Sequence, residues 1–141
     1  IIGMIKSMLI AGAGGFVGTC LRYLVGTYTK GWMNKLPPHC EVVLGVRLCD
    51  FPLGTFIVNV VGCLIIGLVF GLSEKTGILS SNHVLLLATG FCGGFTTFSA
   101  FANEALTLGT KGDWMTSLLY LAVSVVFGII CVWVGRALVI N

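Results

Sequence analysis

Charge is what this chain has least of. Only 9% of its 141 residues are Asp, Glu, Lys or Arg, against 57% hydrophobic, and its mean hydropathy is +1.05. A soluble domain is roughly a quarter charged. A chain this apolar would leave too much greasy surface in water, which excludes an ordinary soluble domain and points to one compact integral membrane domain. Acidic groups are scarcest. Of five in the chain, only Glu104 enters an apolar stretch, and it lies near the end of that stretch. The deep carboxylate that a small proton-coupled cation or drug exporter uses to exchange protons is therefore missing. Paired cysteines are missing too. Cys20, Cys40, Cys49, Cys63, Cys92 and Cys131 include no C-x-x-C spacing, so neither a zinc site nor a thiol-redox motif is signalled. A membrane thiol–quinone enzyme would need a reactive pair. Four of the six lie in apolar stretches, where a thiol behaves as a small hydrophobe. Cys40 and Cys49 share a polar loop and would pair only in an oxidising compartment.

A membrane-spanning helix takes roughly 20 apolar residues, and four stretches qualify: 8–28, 51–72, 83–108 and 114–140. The expected fold is an all-α, four-span membrane domain covering 1–141. The first stretch is not read as a cleaved leader, because three more follow and Arg22 interrupts it. The links at 73–82 and 109–113 are short, which makes neighbouring helices antiparallel. The link at 30–50 is long, holds Pro37-Pro38, and suits a short hairpin or a surface helix.

Four spans place both termini on one membrane side. That side carries Lys6, Lys75 and Arg136; the other carries Lys30, Lys35, Arg47 and Lys111. Orientation is set by a clear Lys/Arg excess. Three against four leaves both single and dual topology open.

Gly14 and Gly18 in span one, and Gly67 and Gly71 in span two, are small-x-x-x-small pairs. Such pairs let helix backbones approach closely in lipid. Four helices make a bundle too small to enclose a pathway alone, so an oligomer is expected, most simply a dimer.

The third span is built to break. Gly90-Phe91-Cys92-Gly93-Gly94-Phe95-Thr96-Thr97-Phe98-Ser99-Ala100-Phe101-Ala102-Asn103-Glu104 interleaves three glycines and three hydroxyl residues with four phenylalanines. Irregular backbone at membrane depth is tolerated only where it is buried in protein or lines a cavity. Unwinding at Gly93-Gly94 and Thr96-Thr97 would free carbonyls for a cation and leave N–H groups of the following half-helix for an anion. Ionisable groups within spans mark function by default, which singles out Arg22 and Glu104. Asn59 in span two is a deep amide, and Tyr120 and Ser124 share a face of span four. Each has a plainer role open to it. Arg22 can snorkel, Asn59 can bond a neighbouring helix, Glu104 can lie among headgroups, and Tyr120 can belong to an aromatic belt. Donors without deep carboxylates suit a small anion. Phe91, Phe95 and Phe98 form a stripe, and Phe98 and Phe101 share a helix side; ring edges are positive and can solvate an anion.

These residues together resemble the Fluc (CrcB-type) fluoride channel family, also called fluoride exporters. The resemblance covers nearly the whole chain. It rests on Gly15-x-x-Gly18-x-x-x-Arg22-Tyr23, on Gly54-Thr55-x-x-x-Asn59-x-x-Gly62, and most of all on Gly90-Phe91-Cys92-Gly93-Gly94-Phe95-Thr96-Thr97-Phe98-Ser99-x-Phe101. It implies an antiparallel, dual-topology homodimer in the cell membrane with two fluoride pores, and a passive channel rather than an enzyme. It also implies a structural sodium ion on the backbone carbonyls of Gly93 and Thr96. Asn59, Phe98, Phe101, Ser99, Tyr120, Ser124 and Glu104 then match the fluoride path, and Arg22 matches a vestibule residue. The expected partners are fluoride, lipid and a second copy, with no nucleic acid. Two departures stand out: Ala100 replaces a usual threonine, and Gly128 stands where a further hydroxyl is common.

Overall fold

The computed structural model describes residues 1–35, 42–43 and 46–140; Pro37, Pro38 and Cys40 lie outside the described residues. Among these, four helical stretches are long and apolar enough to cross a membrane: Ile2–Met33, Leu53–Lys75, Ser81–Thr110 and Trp114–Ile140. The chain is a multi-pass membrane protein.

Helix α1 (Ile2–Met33) runs past the expected 8–28 at both ends. Lys6 and Lys30 sit on these extensions, where a helix can leave the apolar layer while its charged side chains reach water. The long link resolves in favour of a hairpin at its end. Strands β1 (Val42–Val43) and β2 (Val46–Arg47) pair antiparallel, with Val42 opposite Arg47 and Val43 opposite Val46. A 3-10 turn, Leu48–Asp50, follows, and Cys49 within it is disulfide-bonded. Helix α2 (Leu53–Thr76) starts directly after Pro52 and stops at Gly77, whose φ of 60° is the left-handed conformation that ends many helices.

The third span is composite. Helix α3 (Ser81–Val84) passes into a π-helical stretch, Leu85–Cys92, then α4 (Gly93–Phe95) and α5 (Phe98–Thr110). π-Helical geometry is rare and concentrates at functional sites. Helix α6 (Trp114–Ile140) follows a tight turn, and Asp113 caps its start: Oδ1 accepts the Thr116 N–H at 3.3 Å.

Helix α1 packs on the π-helical stretch and α4, α2 packs on α6, and α5 also packs on α6. Glycine makes the first two contacts possible. A Cβ on Gly14 would strike the Leu86 carbonyl, and one on Gly67 would strike the Val132 carbonyl. Backbone-to-backbone approach of this kind replaces the hydrophobic effect as the cement between helices in lipid. A buried cluster of Phe101, Ala105, Leu108 and Tyr120 joins α5 to α6, with Phe51, Phe56 and Leu121 around it.

Candidate functional site

Between α4 and α5 the backbone takes two extended steps. Thr96 has φ −84° and ψ 163°, and Thr97 has φ −151° and ψ 115°. Local sequence accounts for this. Threonine is β-branched and disfavours helix, whereas Gly93 and Gly94, expected to unwind, stay helical in α4. Thr97 is also a good N-cap: its Oγ1 accepts the Ala100 N–H at 3.3 Å, opening α5. Upstream, the Thr96 N–H and hydroxyl both bond the Cys92 carbonyl, at 2.9 and 2.8 Å.

Groups that leave the helical ladder must find other partners in an apolar layer. Two neighbouring helices supply them. The Asn59 side chain of α2 takes both sides of one residue: Nδ2 donates to the Thr97 carbonyl at 3.1 Å, and Oδ1 accepts the Thr97 N–H at 2.8 Å. From α1, Arg22 Nη1 donates to the Thr96 carbonyl at 3.2 Å and the Thr19 hydroxyl to the Gly94 carbonyl at 3.4 Å. Arg22 and Asn59, read separately in sequence, meet at the Thr96–Thr97 peptide, Arg22 on its carbonyl and Asn59 on its N–H.

A second polar group lies further along α5. Glu104 accepts from the Thr55 hydroxyl on Oε1 at 2.7 Å and from the Tyr120 hydroxyl on Oε2 at 2.9 Å. Thr55, Glu104 and Tyr120 thus tie α2, α5 and α6 together. Tyr120 is 0% exposed, so an interfacial belt is not its place. Its ring lies edge-on to Phe51 and to Phe101, with centroids 5.2 and 5.1 Å away.

Thr97 stands between two cavities. One, of about 530 Å³, is lined by Arg22, Thr55, Thr97, Ser99, Ala100 and Glu104 among others. The other, of about 370 Å³, is lined by Asn59, Cys63, Gly93, Thr96, Thr97 and Phe98 among others. The Phe98 and Phe101 rings are 5.9 Å apart, yet their surroundings differ: Phe98 is 80% exposed and Phe101 is 8% exposed. Ser99 Oγ lies 3.4 Å from Thr97 Oγ1. Ala100 lines the first cavity with Ser99, contributing a methyl there.

Ser124 is not brought to Glu104. Its buried Oγ lacks a hydrogen-bond partner among the described residues. It faces a different, apolar groove of about 540 Å³ with Cys63, Gly128 and Trp133. No group of three or more His, Cys, Asp or Glu able to hold a metal occurs among the described residues. A cation here would have to be held by backbone oxygens. Gly93 is exposed and has open space around its Cα, while the Thr96 carbonyl is shared with Arg22.

Sequence reasoning passed over Thr97 as a hub, Thr55 and Thr19 as donors, and Phe51 as packing for Tyr120. Thr55 carried a usable signal, since it is four residues before Asn59 and shares its helix face. The other three depend on tertiary contact.

Comparison with known proteins shows the family. The family model "CrcB-like protein, Camphor Resistance (CrcB)" matches residues 9–136. A protein named "Fluoride-specific ion channel FluC" from Chlorobium phaeobacteroides is 42% identical over 132 residues, covering 94% of this chain and 91% of its own. Proteins of the same name from Azobacteroides pseudotrichonymphae and Rhizobium etli are 36% and 38% identical, each over 135 residues. They cover 96% of this chain, and 97% and 96% of their own. With such a match across nearly all of its length, the chain belongs to the CrcB-like family.

Proposed function

We propose that this chain is a passive, selective fluoride channel of the cell membrane. It lets accumulated fluoride leave the cell and so relieves fluoride toxicity. The observation that carries the reading is the Asn59 brace, which holds Thr97 extended between two cavities, next to Phe98 and Phe101. The printed names of the relatives support fluoride as the ion.

Fluoride is small and firmly hydrated, and stripping its water in a low-dielectric path is costly. A filter must return that energy with fixed groups, as carbonyl rings do for cations. Asn59 has two amide hydrogens, and the Thr97 carbonyl takes one. The other, with the ring edges of Phe98 and Phe101 and the Ser99 hydroxyl, forms the anion-facing set. Arg22 places its positive charge at the cavity that leads to this set. Glu104 and Tyr120 continue the path, and Ser124 lines the separate apolar groove.

The working unit is an antiparallel, dual-topology homodimer, with the Thr96–Thr97 step a break at mid-membrane depth. This is supported by the near-balanced Lys/Arg count. It is also supported by the exposure of Phe98 and of the groove at Ser124, both of which a second copy would cover. A structural sodium ion fits the chemistry of the donors at the centre. The carbonyls of Gly93 and Thr96 would hold it, the second of them also accepting from Arg22. When bound, it supplies a fixed positive charge that favours anions nearby.

The test is fluoride efflux from liposomes, read with a fluoride-selective electrode. Asn59→Asp and Phe98→Ile are expected to abolish release. Release at the wild-type rate by both would remove Asn59 and Phe98 from the path.

A further inference from the structure

The end of the long first link is tied to the part of α6 that carries Tyr120. The Arg47 backbone N–H donates to the Thr116 hydroxyl at 3.0 Å. Its Nε lies 3.7 Å from Asp113 Oδ2. Both partners are buried, Thr116 at 0% and Asp113 at 7% exposed, at the start of α6, while the Arg47 side chain itself is about half exposed. Four residues further along the link, the Phe51 ring meets the Tyr120 ring edge-on, with centroids 5.2 Å apart and planes at 83°. Thr116 and Tyr120 are one helical turn apart, on one face of α6. The segment 47–51 therefore grips two successive turns of that helix, and the second grip bears on the residue whose hydroxyl donates to Glu104.

The same segment walls two cavities. Phe51 lines the cavity of about 530 Å³ that contains Arg22, and Arg47 lines a neighbouring one of about 270 Å³; Pro52 and Glu104 line both. Around the smaller cavity Arg47 and Lys111 face Asp50, Asp113 and Glu104. Two positive and three negative groups do not make an anion trap. The segment's contribution is geometric.

We propose that the segment from Arg47 to Phe51 is a positioning clamp for Glu104. It holds the first two turns of α6 and thereby the Tyr120 hydroxyl on Glu104, at the point where the two cavities meet. Arg47 is a positioning residue: it acts through α6 and Tyr120 and does not touch the ion. This rests on the reading of Glu104 as part of the fluoride path, and it gives the long link a role in permeation.

The experiment is a double-mutant cycle on fluoride efflux from liposomes, using Arg47→Ala, Arg47→Lys and Tyr120→Phe in the full chain. Arg47→Ala is expected to slow release about fivefold in the wild-type background. In the Tyr120→Phe background, where the bond it supports is already gone, it is expected to add little, because residues of one network are non-additive. Arg47→Lys, which keeps the charge beside Asp113, is expected to restore most of the rate. A purely structural role would slow both backgrounds alike. Should Arg47→Ala fold poorly, Phe51→Leu is expected to give the same dependence on Tyr120. Equal slowing in both backgrounds, or a wild-type rate for Arg47→Ala and Phe51→Leu, would overturn the clamp and leave the channel reading standing. A folded wild-type protein that releases no fluoride would instead overturn the channel reading.

Discussion

Asn59 and Thr97 are 38 positions apart, yet one side-chain amide holds both polar groups of the other residue's backbone, at 3.1 Å to the carbonyl and 2.8 Å to the N–H. This makes Asn59 a structural brace besides the ion-facing role proposed for it, and the two roles separate by substitution. Asn59→Leu removes both bonds and is expected to destabilise the protein by about 2–3 kcal/mol, since each bond is worth roughly 1 kcal/mol and two groups lose their partners. Asn59→Asp keeps an acceptor for the Thr97 N–H, so it should lose release while unfolding closer to wild type. Denaturation in detergent, run beside efflux, checks both.

Phe98 is the cleaner probe of the aromatic pair. Phe101 is almost fully buried in the α5–α6 cluster, and Phe101→Ala is expected to cost about 3–5 kcal/mol through the cavity it leaves. Phe98 is mostly exposed on the single chain. Phe98→Ile should therefore leave a folded protein by size-exclusion chromatography and still stop fluoride release.

Tyr120→Phe leaves Glu104 Oε2 without its hydroxyl donor. The expected loss is about 1–2 kcal/mol in unfolding experiments, in line with a carboxylate–hydroxyl bond in a part-buried site. Release should slow, because the carboxylate is then free to turn within the cavities that it lines.

Two glycines of α1 and the third span should respond in opposite ways to alanine. At Gly18 a Cβ would collide with the Phe91 carbonyl, so Gly18→Ala is expected to separate α1 from the third span and lower the yield of folded protein. At Gly93 nothing lies within 4 Å of an added Cβ, and the backbone there is ordinary right-handed helix, with φ −62° and ψ −37°. Gly93→Ala should fold. The readout for both is the fraction eluting as monodisperse protein in detergent.

Much of the fold was legible in sequence, because hydropathy reports directly on burial in lipid. The four spans follow from it, with both ends of α1 displaced because helices outrun the apolar layer and charged residues such as Lys6 and Lys30 do not stop them. The π-helical stretch Leu85–Cys92 left no such mark; it packs closely against Gly14 and Gly18. In the site, residue types pointed to Arg22, Asn59 and Glu104 because polar groups are costly in an apolar layer. Their partners could not be read that way. The Thr97 peptide, the Thr96 carbonyl and the Thr55 hydroxyl belong to elements far apart in the chain, and only packing of α1 and α2 around the third span brings them into reach.

Sodium offers a test independent of transport. If the Gly93 and Thr96 carbonyls hold a structural sodium ion between two copies, adding sodium in place of a large organic cation should raise the melting temperature, as any ligand of the folded state does. Gly93→Ala should reduce the shift. Identical melting in both salts would argue against the ion.

Passive fluoride release is read most directly from the fluoride-electrode trace of liposomes that contain the purified wild-type chain and are loaded with fluoride. Rapid release that needs neither a proton gradient nor an added energy source is the expected result. Folded protein in the membrane that leaves the fluoride inside would contradict it.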